Sequence, residues 1–364
     1  MSERIKKRDS NIELLRILLI LGVIVLHYNG VAGGFDSVQK GSANEAVLHL
    51  LEAICICAVD AFIMISGYYL CKKESISARK PLELIVQVII WSEALIIASN
   101  SVIALRGGDV SAVGVLMQIG KAIIPANWFV ILYAVTYLLS PYINRLIAGL
   151  SDDQFRKMVV LLFVCFSIWA CFSDLLVNLT GDGYYASLNT VSSGGSNGGY
   201  TIVNFVFLYV LGAFIRRGSI QLKVYQSATI CCICVVALWV MDLLNNQKGW
   251  GVTVVYAYNN PVIIVYSAAL LMLFRELQIG HIAWINKLAE ANFTVFLLHT
   301  FFLMHANVPK YVRANVLMML AHILLTACVI YLICFIAYQT YKATIGSAFT
   351  KLWNHGDKAE RVGQ

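Results

Sequence analysis

Charge is scarce in this chain. Only 13% of its 364 residues are Asp, Glu, Lys or Arg, against a hydrophobic share of 59% and a mean hydropathy of +0.75. Soluble domains carry about 25% charged and about 45–50% apolar residues. The deficit argues against a soluble enzyme and for a polytopic membrane protein. A small-residue cleavage site is also missing after the first apolar run, which is longer than the core of a secretory leader, so no cleaved signal peptide is expected. Zinc-ligand spacing is lacking too. Neither Cys55-x-Cys57 nor Cys231-Cys232-x-Cys234 has His or Asp nearby, and almost all ten cysteines lie within apolar runs as small packing residues. No metal is expected. Internal repeats, an appended soluble domain and a heptad seam are likewise absent.

What is present is a succession of apolar windows. A bilayer core about 30 Å thick takes about 20 helical residues to cross. Windows of that kind fall at 12–30, 47–70, 82–105, 128–148, 158–177, 201–215, 225–245, 259–275, 290–307 and 316–341. The sequence therefore predicts an all-α, polytopic membrane helical bundle of about ten transmembrane helices. The window at 201–215 is short, and the Gly-broken stretch 110–125 is expected to be a partly embedded loop.

The formal charge of +7 is spread in short clusters between the windows, which encodes topology and argues against a nucleic-acid partner. With the N-terminus inside, twenty Lys and Arg fall in inner segments and six in outer ones. Both termini are thus expected to be cytoplasmic, with residues 1–345 forming one integral membrane domain and 346–364 a short cytoplasmic tail. The longest outer loop, 178–200, is rich in Gly, Ser, Asn and Tyr. It has the composition either of a solvated connector or of a surface that meets a polar glycan through its aromatics.

Ionisable groups inside the windows are the next signal, because a charge at mid-bilayer costs about 2.5–3.5 kcal/mol on insertion scales and usually faces a bundle interior. "ELLRILLILGVIVLHYNG" (13–30) carries Glu13, Arg16 and His27. Eleven helical residues turn three times plus about 20°, so Arg16 and His27 share a face about 16 Å apart, and Glu13 pairs with Arg16 at i,i+3. The second window adds His49, Glu52 and Asp60, the third Glu93, and the ninth His299. Together they predict a polar cavity running through the bundle.

These marks resemble the acyltransferase-3 family of integral membrane O-acyltransferases. The resemblance rests on "IELLRILLILGVIVLH", with an acid, Arg three residues later and His after ten more. It rests also on "VDAFIMISGYYL", the basic loop "KKESISARK", "NWFVILYAVTYLLSPYI" and "KLAEANFTVFLLH". It implies His27 and Arg16 as the essential first-helix residues, a cytoplasmic acyl-CoA donor (acetyl-CoA by preference) and a glycan or polysaccharide acceptor outside. It further implies a place in the bacterial cytoplasmic membrane and no permanently bound cofactor.

A neutral imidazole takes a proton from an attacking hydroxyl, or is itself acylated as a relay; both uses of His27 remain open. Arg16 suits phosphate or carbonyl recognition, with Lys72, Lys73, Arg79 and Lys80 either adding charge for the CoA phosphates or only setting topology. Asp60, ahead of Glu52, is the expected carboxylate partner of His27. Ser66-Gly67 reads as a close-packing site. Trp128 is an interfacial anchor or a substrate platform, and His299 shares the cavity of His27. A transporter or flippase for a polar or lipid-linked saccharide is the rival reading of the same buried charges.

Overall fold

The computed structural model describes residues 9–218 and 220–348. Among them there are helices and no strands. The basic clusters at Arg4–Arg8 and Lys351–Arg361, and most of the expected tail, lie outside these residues. Twelve helices carry the account. They are α1 (Ser10–Asn29), α2 (Ala43–Cys55), α3 (Ala58–Leu70), α4 (Arg79–Leu105), α5 (Ala112–Ala122) and α6 (Trp128–Ala148). They continue with α7 (Asp152–Thr180), α8 (Ile202–Arg217), α9 (Val224–Lys248), α10 (Pro261–Glu276), α11 (Asn292–Leu303) and α12 (Val316–Tyr341).

Local sequence marks the ends. Ser42, Asn127, Thr201, Asn260 and Asn315 accept from backbone N–H groups of the first turns they precede. Ser151 and Gln154 form a reciprocal capping box at the start of α7. Gly181 and Gly218 end α7 and α8 in the left-handed conformation.

Among the described residues, eight stretches are long and apolar enough to cross a membrane, with α2 and α3 counted together. The other two windows take shorter forms. Helix α8 has 16 residues and α11 has 12. Neither needs to face lipid along its whole length. Helix α8 is buried on nearly every side, with Phe205, Phe207, Leu208, Tyr209, Val210, Phe214 and Ile215 all at 4% exposure or less. The stretch expected as an embedded loop at 110–125 instead forms α5, whose residues are all at least partly exposed and which packs on α4.

The second window is not one helix. It breaks at Ile56–Cys57, and α10 braces the break: Tyr266 Oη donates to Ile54 O at 2.9 Å, and Ser267 Oγ donates at 3.2 Å to Cys57 O, which also accepts from Ala61 N. Within a bilayer such a break survives only where protein groups satisfy it.

Helices α3 and α8 cross at the closest approach the backbone permits. A Cβ on Gly67 would lie 2.0 Å from Tyr209 O, and one on Gly212 2.0 Å from Met64 O. In lipid, close van der Waals approach of this kind replaces the hydrophobic drive between helices. The packing role expected of Ser66-Gly67 is thus met by Gly67. Asn144 of α6 completes the clamp, donating to Leu70 O and Lys73 O at 2.8 Å each while accepting from Tyr209 Oη at 2.9 Å.

Candidate active site

Helix α1 runs unbroken from Ser10 to Asn29 and is buried along most of its length, so it delivers Arg16 and His27 to opposite ends of one stripe. Glu13 and Arg16 pair at 2.8 Å as the i,i+3 spacing predicts, and the Arg16 guanidinium sits 5.7 Å from the Tyr69 ring centre.

At the other end of the stripe two histidines meet. His299 Nε2 lies 2.8 Å from His27 Nδ1, with ring centres 4.7 Å apart. Each Nδ1 also lies 3.0 Å from the carbonyl one turn back, Val23 O for His27 and Val295 O for His299. A carbonyl only accepts, so His299 Nδ1 carries its ring's proton and Nε2 its lone pair. His27 Nδ1–H must then be the donor to His299. This network assigns the tautomers. It leaves His27 Nε2 with a free lone pair on a half-buried ring, while His299 is 2% exposed.

Between the two ends lies a cavity of about 280 Å³. Its polar lining is Glu13, Arg16, Ser66, Lys80, Tyr133, Glu290 and Asn292, and its apolar wall includes Val23, Val59, Phe62, Phe129 and Phe296. Neither histidine lines it. It stops at Val23, one turn below His27, and at Phe296, whose ring centre is 6.3 Å from that of His299. Lys80 reaches over the Tyr137 ring at 5.6 Å, and the Tyr133 phenol lies beside Ser66 and Lys80.

The remaining expected residues scatter. The structure brings no carboxylate to His27 Nδ1, which His299 and Val23 occupy. Glu52 accepts instead from Asn29 Nδ2 at 2.8 Å, and Asp60 is fully buried with neither oxygen hydrogen-bonded. Glu93 is half-buried outside the cavity lining. Lys72 and Lys73 are exposed on the loop before α4, also outside it, and Arg79 pairs with Glu83 at 2.9 Å. Trp128 is 39% exposed within a group of aromatic rings.

Three polar lining residues carry no mark of their own in the sequence. Asn292 and His299 are seven apart, two turns on one helical face, a spacing that marks Asn292 once His299 is suspected. Tyr133 and Glu290 sit inside the quoted segments without a distinguishing spacing. A second buried group, His49 Nδ1 against Asp242 Oδ2 with Tyr256 Oη donating to Asp242 at 2.8 Å, joins residues 193 apart in sequence and has no local signal.

A family model described as an acyltransferase domain, acyltransferase-3, matches residues 9–339. The chain belongs to the acyltransferase-3 family. Comparison with curated proteins and with solved structures returned no match. This acyltransferase-3 protein is thus a multi-pass membrane protein of an acyl-transferring family, and its matched span takes in Arg16, His27, the cavity and His299. Among the described residues no group of three or more His, Cys, Asp or Glu is placed to hold a metal ion.

Proposed function

We propose that the protein moves an acyl group, acetyl by preference, from cytoplasmic acyl-CoA to a hydroxyl of a glycan outside the bacterial cytoplasmic membrane. The observation that carries this reading is the free His27 Nε2 lone pair, held by His299 one turn above a cavity whose far end presents Arg16 and Lys80. The thioester arm of the donor lies along the apolar wall. Arg16 and Lys80 meet the donor's phosphates, the guanidinium as a planar fork and the ammonium as a point charge.

His27 Nε2 takes the proton of the acceptor hydroxyl as its oxygen attacks the thioester carbonyl. The tetrahedral intermediate then expels the thiolate, which leaves with that proton as free CoA, and an ester remains on the acceptor. His299 holds the tautomer throughout and shares the charge that His27 gains. The same lone pair serves a covalent relay, in which His27 Nε2 first displaces CoA and the acyl-imidazole then acylates the acceptor. A saturable acyl label on protein incubated without acceptor distinguishes the relay from the direct route.

Protein in sealed proteoliposomes tests the reading. Radiolabelled acetyl-CoA supplied on the Arg16 side is expected to release free CoA while label appears on saccharide enclosed at the His27 side. Movement of a saccharide across the bilayer without CoA release would establish the transporter reading instead. The broken second helix fits either class, but the acyltransferase-3 match over 9–339 favours acyl transfer.

A further inference from the structure

Three aromatic rings from three separate segments meet at the His27 end of the bundle. Trp128 opens α6, Tyr200 closes the loop before α8, and Tyr258 precedes α10. The Trp128 and Tyr200 ring centres are 4.5 Å apart, those of Tyr200 and Tyr258 5.0 Å, and Trp128 lies near-parallel to Tyr258 at 6.2 Å. Trp128 and Tyr200 are 39% and 44% exposed.

The backbone holds this group tightly. Tyr258 N donates to Gly198 O at 2.8 Å. A Cβ on Gly199, whose φ is +83°, would lie 2.6 Å from Asn259 N and 2.9 Å from Tyr258 Cβ. Polar groups beside the rings are unmet: Asn259 has no partner for either amide atom, and Asn204 has none for Oδ1, although both residues are almost fully buried.

A lone tryptophan at a bilayer surface is an anchor. Three mutually packed rings flanked by unpaired amides ask for more, because a buried amide left unmet is destabilising and an apolar partner would leave it so. A sugar ring supplies both halves, an apolar C–H face for the rings and hydroxyls for the amides. The rings also lead inward. Trp128 adjoins Phe129 at 5.8 Å, Phe129 adjoins Phe296 at 5.2 Å, and Phe296 adjoins His299.

We propose that Trp128, Tyr200 and Tyr258, with Asn204 and Asn259, form the subsite that binds a saccharide ring of the acceptor. This rests on the acyl-transfer reading, since that reading is what requires an acceptor at this end.

Saturation-transfer NMR on the full chain in proteoliposomes tests it, with methyl glucoside, methyl galactoside and N-acetylglucosamine as probes. At least one sugar is expected to receive saturation at its ring C–H protons. The Trp128→Ala/Tyr200→Ala variant is expected to bind it about tenfold more weakly, the loss of about one aromatic contact. Trp128→Phe should retain most of the signal. Displacement of the soluble sugar by the same sugar on a vesicle lipid identifies a lipid-borne acceptor, and no displacement identifies a free glycan. Silence from all three sugars, or equal binding by the double variant, overturns the subsite. An unchanged acceptor KM in the double variant during active transfer overturns it and spares the acyl-transfer reading. Sugar binding that responds as expected in a protein that never consumes acyl-CoA sinks the acyl-transfer reading alone.

Discussion

At the residue scale, the proposed reaction depends on which nitrogen of His27 is free, and His299 and Val23 O together keep the ring's proton on Nδ1. Replacing His299 with alanine removes the acceptor for His27 Nδ1–H but leaves Val23 O within 3.0 Å. His299→Ala is therefore expected to lower kcat about 10–100-fold with little change in donor KM, and His299→Gln, which keeps a side-chain acceptor, to recover part of the loss. Equal KM and kcat losses in both variants would make His299 a packing residue.

Asp60 presents a different case. A fully buried carboxylate without a hydrogen bond is costly to hold, and the isosteric amide avoids the charge. Asp60→Asn is expected to unfold no more readily than the parent, read as an unchanged or higher unfolding midpoint in detergent; a lower midpoint would show that the fold needs the carboxyl itself. The His49–Asp242 pair, both side chains 10% exposed, is structural by contrast. Asp242→Ala leaves the buried His49 Nδ1 without its partner and is expected to destabilise by about 3–5 kcal/mol, with a double-mutant cycle against His49→Ala isolating the coupling.

At the element scale, the α3–α8 crossing is the joint least tolerant of change. Its obstacles are backbone atoms, which cannot rotate away as a side chain would. Gly67→Ala or Gly212→Ala is expected to cost about 1–3 kcal/mol or more, read as a lower unfolding midpoint in detergent. Gly120→Ala on α5, where nothing lies within 4 Å, should leave the midpoint unmoved.

Helices were legible where hydropathy alone decides them. Windows such as 128–148 and 316–341 match α6 and α12 to within a residue at most, because lipid demands a continuous apolar length. The break at Ile56–Cys57 was hidden, since "EAICICAV" is as apolar as an intact helix and the groups that brace it come from Tyr266 and Ser267, 210 residues or more away. Helices α8 and α11 departed for a related reason: protein surrounds much of them, so bilayer thickness does not set their length. The stretch 110–125 misled because its two glycines, 114 and 120, fit within a surface helix.

At the scale of the whole molecule, the site was half legible. The i,i+11 register of Arg16 and His27 follows from helix geometry, and the Glu13 pair follows from i,i+3 spacing. The histidine that completes the pair lies 272 residues further on, and only its depth in an apolar window and a recognisable motif marked it. A carboxylate was the expected partner of His27 because acid–imidazole pairs are common in catalysis. In this bundle Glu52 is taken by Asn29 and His299 fills the position.

Orientation rests on the distribution of Lys and Arg. A single reporter cysteine replacing Ser187 in the long loop is expected to react with an impermeant maleimide from outside intact cells, and one replacing Ser77 only after permeabilisation. The reverse pattern would invert the donor and acceptor sides.

In the proposed reaction, His27 Nε2 is the atom through which either the acyl group or the proton of the acceptor hydroxyl passes. The most direct measurement is the rate of acyl-CoA consumption coupled to acceptor acylation by His27→Ala, at wild-type protein level and membrane insertion. A loss of about 100-fold or more is expected, with donor binding at the Arg16 cavity retained. Transfer by that variant at close to the wild-type rate would contradict the account.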